Sequence, residues 1–338
     1  MATYELLEDG AGTFRVLVSG LENWIDAGGA ARRAASILAG GRADETSDDL
    51  DDLDDLEDVD DEADAGGADA ADEDELGEDV RSAIEPEERT GPPAGLRHVA
   101  AFDADDLIDH QARRPTMQLV DGVNTGLTLP HLDLYAAKDP GGVPFLLLQG
   151  PEPDHRWRAF ATDVVDLAHR FDVQLVVSLG AYPAPVPHTR PCRVVATATS
   201  DALAARVGYL PGRMEVPASI NAMLERACAD AGLDAVGLWA QVPHYVSNFP
   251  FPAASAALLD ALAGLTGLRF PTAGLDAATA RTRRRIDELV AQNPEHSSMV
   301  RQLEQLADQL PTPGPLPSAD ELAAELEHFL RDQSGSDG

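Results

Sequence analysis

Lysine is nearly missing from this sequence. Lys138 is the one lysine among 338 residues, against 24 arginines. It stands in Ala-Lys-Asp-Pro-Gly-Gly, a run of turn formers. A P-loop requires its lysine after a glycine-rich loop, and Schiff-base chemistry requires a desolvated one. Lys138 meets neither condition, which excludes P-loop nucleotide hydrolysis and pyridoxal-phosphate chemistry. Cysteine is almost as scarce. Cys192 and Cys228 are too few for a disulfide framework and lack zinc-ligand spacing, so they are expected as two buried, reduced thiols. No apolar run approaches the ~20 residues that a membrane helix needs. The opening Met-Ala-Thr-Tyr-Glu lacks the basic and apolar regions of a secretory signal. These absences predict a reduced, cytoplasmic protein without a membrane partner.

Positive charge is short overall and its deficit is concentrated. Acidic side chains number 59 against 25 basic ones, for a net charge of -34. Between Ala43 and Val80 there are 21 Asp and Glu and no Lys or Arg, and the rest of the chain carries 38 acids against 25 bases. The chain thus reads as a mildly acidic globular protein with one very acidic insert, and without the basic field that nucleic-acid binding demands. The insert, 42–93, has no aromatic residue and too little apolar surface to offset its ordering entropy, so it is expected to be disordered. Leu50, Leu53 and Leu56 lie at helical spacing within it and mark a partner-binding segment as the alternative. It does not meet the calcium-loop pattern.

Outside the insert, apolar periodicity alternates between strand and helix. Buried strands are predicted over 14–21, 97–102, 143–149, 173–179, 193–199 and 235–242. Helices are predicted over 27–39, 157–171, 218–231 and 251–265, the second carrying its stripe on Trp157, Phe160, Val164, Ala168 and Phe171. A hairpin-like pair is predicted from 115–120 and 125–135. The pattern defines an α/β fold with a largely parallel sheet flanked by helices. Three further helical patterns follow, at 276–291, 294–310 and 319–330, the last opened by the capping box Ser318-Ala-Asp-Glu321. The expected organisation is an α/β domain over 1–272, a helical appendage over 273–333 joined in part by a proline-rich linker, and a disordered tail over 334–338.

In such a sheet, ligands bind beyond the carboxyl ends of the strands. Four loops there collect polar and aromatic residues. They supply Asn23, Trp24 and Asp26; Glu152 and Arg156; His188 and Arg190; and His244 and Tyr245. Converged, they would offer acids, imidazoles, cations and a stacking face to an anionic or nucleoside-like ligand. Structural alternatives stand beside them, with Asp26 as a helix N-cap, His188 as a loop hydrogen-bonder and Trp157 as core rather than site. There is no Gly-x-Gly-x-x-Gly, Gly-x-Ser-x-Gly or His-Glu-x-x-His motif, and Val176 stands where the first glycine of a nucleophile elbow would be. No catalytic residue, metal or cofactor is assigned.

The same loops carry a family resemblance. Leu21-Glu-Asn-Trp-Ile-Asp-Ala-Gly28 resembles the opening GWxDAG motif of the proteasome assembly chaperone 2 family, with Asn23 where the family has Gly. Phe102 to Asp109 with Arg114-Pro115, and Gly150-Pro-Glu-Pro-Asp154 with Arg156-Trp157, resemble its next blocks. Val186-Pro-His-Thr-Arg-Pro191 and Val242-Pro-His-Tyr-Val246 resemble the branch found in high-GC Gram-positive bacteria. The blocks run in order from about Leu6 to Leu306 and skip the insert. The resemblance implies a phosphorylase/hydrolase-like α/β fold with a helical C-terminal segment, and self-association. It also implies a non-enzymatic, protein-binding or assembly-type factor whose partners include proteasome-like subunits. The other reading is an enzyme or small-ligand-binding protein using the crevice, with Glu152 or Asp26, His188 or His244, and Arg156 or Arg190 as its working groups.

Overall fold

The computed structural model describes residues 2–8, 10, 12–41 and 95–309. The acidic insert, the proline-rich linker, the third tail helix and the tail lie outside the described residues. Eight strands form one sheet. They are β1 (Tyr4–Leu6), β2 (Val16–Leu21), β3 (Arg97–Phe102), β6 (Asp133–Lys138), β7 (Pro144–Gly150), β8 (Leu175–Ala184), β9 (Val194–Ala198) and β10 (Asp234–Pro243), in the order β1-β3-β6-β7-β2-β8-β10-β9. β4 (Thr116–Val120) and β5 (Val123–Thr128) form a separate hairpin.

The expected parallel sheet is the centre of this one, where β7, β2, β8 and β10 run parallel. Antiparallel strands extend it on both sides. The central strands are near-continuous apolar runs because helices cover both faces. Leu17, Val18, Leu146, Leu147 and Val177 are completely buried. On one face, Val18, Leu147 and Leu238 pack with α1 (Ala30–Leu38), α6 (Pro252–Thr266) and α7 (Ala273–Gln292), the last through Leu275 and Ile286. On the other, Leu17, Leu146 and Leu148 pack with α3 (Trp157–Arg170) and α5 (Ile220–Asp230). The helix α8 (Pro294–Gln309) packs on α7 and buries Val300 and Leu303.

Three local results differ from the sequence expectation. The expected second hairpin strand, 125–135, is split into β5 and β6, because Pro130 has no N–H for the ladder and ends it. β8 is longer than 173–179, and Tyr182 to Ala184 are strand rather than loop, each in register with β10. The short helices α2 (Ala104–Leu107) and α4 (Asp201–Val207) are added, capped by Asp103 and Ser200 side chains.

β2 and β7 are parallel neighbours, with Leu21 opposite Gly150. The helix following β2 covers the first face and the helix following β7 the second. Their carboxyl ends therefore flank a topological switch, the place where open α/β sheets form a crevice. Two glycines shape this edge. Gly28, at φ 66°, lies so close to Phe251 that a Cβ would stand 2.7 Å from the Phe251 Cβ. Gly150, at φ 137°, accepts the Glu22 N–H on its carbonyl, and a Cβ there would stand 2.4 Å from the His131 carbonyl oxygen. Gly150→Ala is accordingly expected to lower stability by about 2–4 kcal/mol, through strain and a backbone clash together. Urea unfolding monitored by tryptophan fluorescence would read this, and an unchanged midpoint would refute it.

Candidate functional site at the strand carboxyl ends

The loop after β2 is held by side chains that satisfy backbone. Asn23 donates from Nδ2 to the Leu179 carbonyl at 2.9 Å and accepts on Oδ1 from Asn221 Nδ2 at 2.8 Å. Asn221 in turn accepts from the Ser19 hydroxyl at 2.7 Å. This buried chain ties β2, β8 and α5 together, and it gives a reason for Asn where the family motif has Gly. Asp26 accepts from the Ala31 and Arg32 amides at 2.8 and 3.0 Å, across a single 3-10 turn, Ala27–Gly29. It thus holds the start of α1, whose N-cap position is Gly29. Burial raises its carboxyl pKa, against the pull of those amides. Trp24 is 55% exposed, free to present its face.

Glu152 is buried and caps α5. Its carboxylate accepts the Ile220 N–H at 2.7 Å and also bonds the Trp24 amide. Burial pushes its carboxyl above the ordinary range despite both bonds. Arg156, at φ 54° before α3, ion-pairs with Asp106 of α2. Beside it, Asp154 pairs with Arg113 and accepts the Asp109 N–H. Burial alone would raise the Asp154 pKa, but these partners hold it below the ordinary value.

His188, Arg190 and Tyr245 gather in a second cluster that clasps the 185–191 loop to α7 and α8. The His188 ring bonds the Tyr245 hydroxyl at 2.7 Å through Nδ1 and Asp287 of α7 at 3.0 Å through Nε2. The Tyr245 oxygen also accepts the His188 N–H at 2.9 Å. Burial pushes the Tyr245 phenol up to about 12, so it stays protonated and donates to Nδ1. Arg190 forks onto Asp308 at 2.8 and 2.9 Å and reaches Glu304 at 3.1 Å. The Asp308 hydrogen bonds raise its pKa further. His244 stacks edge-on against Tyr245 and faces the Ala184 carbonyl.

The nine residues therefore fall into separate groups with separate partners. Asp26 holds the start of α1, and Asn23, Trp24 and Glu152 meet around the α5 N-terminus. His188, Arg190, His244 and Tyr245 meet at the α7–α8 edge, and Arg156 serves α2. Sequence reasoning missed Asn221, Asp287, Glu304 and Asp308. The one signal available was the i,i+4 spacing of Glu304 and Asp308 on a helix face. Cys228 is buried and Cys192 half-buried, both free and both pushed up to about 12 by burial. Among the described residues, no group of three or more His, Cys, Asp or Glu is placed to hold a metal ion, and no helix is long and apolar enough to cross a membrane.

Between β2 and β7 the crevice is an open groove of about 680 Å³, bounded by α1 on one side and the β4–β5 hairpin on the other. None of the nine residues lines it. Arg32, Arg113, Arg114 and His131 do.

A sheet with a parallel centre and antiparallel margins, fastened loops at its carboxyl edge and a helical pair clasped beside them defines a mixed α/β protein. The model of the PAC2 family matches residues 94–290, and the chain belongs to that family. The opening motif at 21–28 lies before the matched span. Similar solved structures come from high-GC Gram-positive bacteria. A Mycobacterium tuberculosis protein of unknown function shares 32% identity at a TM-score of 0.65, over 91% of this chain and 89% of that one. The proteasome-assembly chaperone homologue of the same organism shares 30% at 0.63, over 84% and 99%. A PAC2 family protein of Streptomyces avermitilis shares 30% at 0.59, over 84% and 99%. No curated protein matches the chain.

Two outcomes follow from the two clusters. Tyr245→Phe leaves the His188 N–H and Nδ1 without their buried partner and is expected to cost about 1–3 kcal/mol by chemical denaturation; an unchanged stability would mean that the clasp is not formed. Glu152 holds its proton more tightly folded than unfolded. Its contribution to stability is therefore present below the ordinary value of 4.5 and lost as pH rises through the raised value. Glu152→Gln lacks that loss, so the stability of the wild type relative to the variant should fall as pH rises above about 4.5. A pH-independent difference would contradict the burial argument.

Proposed function

We propose that this protein works through its surfaces, as a self-associating, protein-binding factor of assembly type whose partners are proteasome-like ring subunits. The observation that carries the reading is the β4–β5 hairpin. Met117, Leu119, Val123, Leu127 and Leu129 are between 46% and 62% exposed on or beside two strands outside the main sheet. An isolated two-stranded hairpin is marginal in water, and each such side chain gains about 1.5–3 kcal/mol on full burial. A cluster of them on a projecting element is the mark of a docking surface. A second apolar segment, with Tyr209, Leu210, Met214 and Val216, is 43% to 71% exposed.

The occupation of the polar residues supports the same reading. Asp26 and Glu152 hold the starts of helices, His188 and Arg190 fasten a loop, and Asn23 satisfies a strand carbonyl. The Mycobacterium tuberculosis relative described as a proteasome-assembly chaperone homologue lends the partner class.

The test is a native pull-down with mass spectrometry from the source organism, using three baits. These are the full chain, the chain with Leu119→Asp and Leu127→Asp, and the chain lacking residues 42–81. Stoichiometric recovery of ring-forming protease subunits on the full chain is expected, with about tenfold less on the double variant at an unchanged melting temperature. Loss on the deleted bait would move the contact to the insert. Recovery of the protein alone on every bait, with a monomeric mass by light scattering, would refute the proposal.

A further inference from the structure

We infer that the groove between β2 and β7 is a second, separate binding site, for a small molecule that carries a phosphate or carboxylate on an uncharged body. It includes none of the nine loop residues and shares Leu129 with the proposed docking surface.

The position follows from topology. Parallel neighbours whose following helices leave to opposite faces cannot close the space beyond their ends, and this is where open sheets receive ligands. At about 680 Å³ the groove falls within the range of small-molecule sites. The charge follows from its walls. Arg32 comes from α1, Arg114 from the loop before β4 and His131 from the loop before β6, three separate segments of chain converging on one space. Arg32 and Arg114 make no ion pair or side-chain hydrogen bond among the described residues, and Arg32 is only within the field of Asp26. This contrasts with Arg97, Arg113, Arg156, Arg190 and Arg226, each of which is paired with a carboxylate. Among the described residues, two guanidiniums of this groove are without a carboxylate salt bridge, which is a gain for an incoming oxyanion. Guanidiniums bind phosphate and carboxylate through two parallel N–H donors.

The rest of the groove describes the body of the ligand. Ala35, Ala39 and Leu129 offer an apolar wall, while Gln149 and Glu22 at the strand ends offer an amide and an acceptor. A flat or cyclic body with a few hydroxyl or amino groups fits that wall, with its anion held at the arginines.

The test uses the full chain and calorimetric titration at low salt with AMP, citrate and adenosine. AMP or citrate should bind with an affinity that falls as salt rises, while adenosine, with the same body and no anion, should bind at least about tenfold more weakly than AMP if phosphate is the anion. Preference for AMP identifies phosphate as the anion, and preference for citrate identifies carboxylate. Arg32→Gln and Arg114→Gln should each weaken binding by about tenfold. Arg158→Gln, an exposed arginine on α3, should leave it unchanged and controls for net charge. The inference is overturned if neither anion binds, if adenosine equals AMP and citrate fails, or if both groove variants bind as the wild type does with unaltered circular dichroism.

Discussion

Four parallel strands buried on both faces bring their carboxyl ends to one edge, and the backbone groups at that edge must find partners without help from the sheet. The rest of this structure is arranged around that requirement. An unpaired buried amide or carbonyl costs about 1–3 kcal/mol, a large part of the net stability of a domain. The molecule meets the need with side chains from the loops themselves. Asn23 reaches the Leu179 carbonyl, Glu152 takes the Ile220 amide, and Asp26 takes two amides of α1. Residues that look like chemistry in the sequence are the ones that close these bonds.

Ambiguity of this kind is inherent to polar residues at strand ends. A carboxylate buried among backbone amides has the same spacing, the same company of glycine and proline, and the same raised pKa as a general acid. What separates the two roles is the orientation of the group and the number of its lone pairs already engaged. Glu152 meets two amides from two different segments. Asp26 has both oxygens committed to one helix end.

Much of the fold was legible because burial on both faces leaves an unmistakable trace. The runs at 143–149 and 235–242 became β7 and β10, and the stripe from Trp157 to Phe171 became α3. The pieces that escaped notice have weak local signals. β1 is three residues long and gains its place from β3, and α4 depends on a single Ser200 cap. β8 runs on to Ala184 because β10 pairs with it all the way, with Gln241 reaching the Tyr182 hydroxyl. The candidate residues were legible as a set and illegible as a geometry. Their partners, Asn221, Asp287, Glu304 and Asp308, lie far along the chain on helices whose polar faces look ordinary. The groove arginines were hidden for the opposite reason. Arg32 sits in a small-residue helix and Arg114 beside a proline, and nothing local says that the two converge.

The division of labour at this edge has a physical logic. Docking surfaces draw on apolar area, which is non-directional and tolerates a projecting hairpin. Anion recognition draws on charge, which is weakened by every nearby counter-charge, here Glu22 in the groove wall and Asp26 beside Arg32. The hairpin β4–β5 serves both demands at once. Its apolar side chains face solvent, while Thr116, at its start, and Thr128, at its end, border the groove.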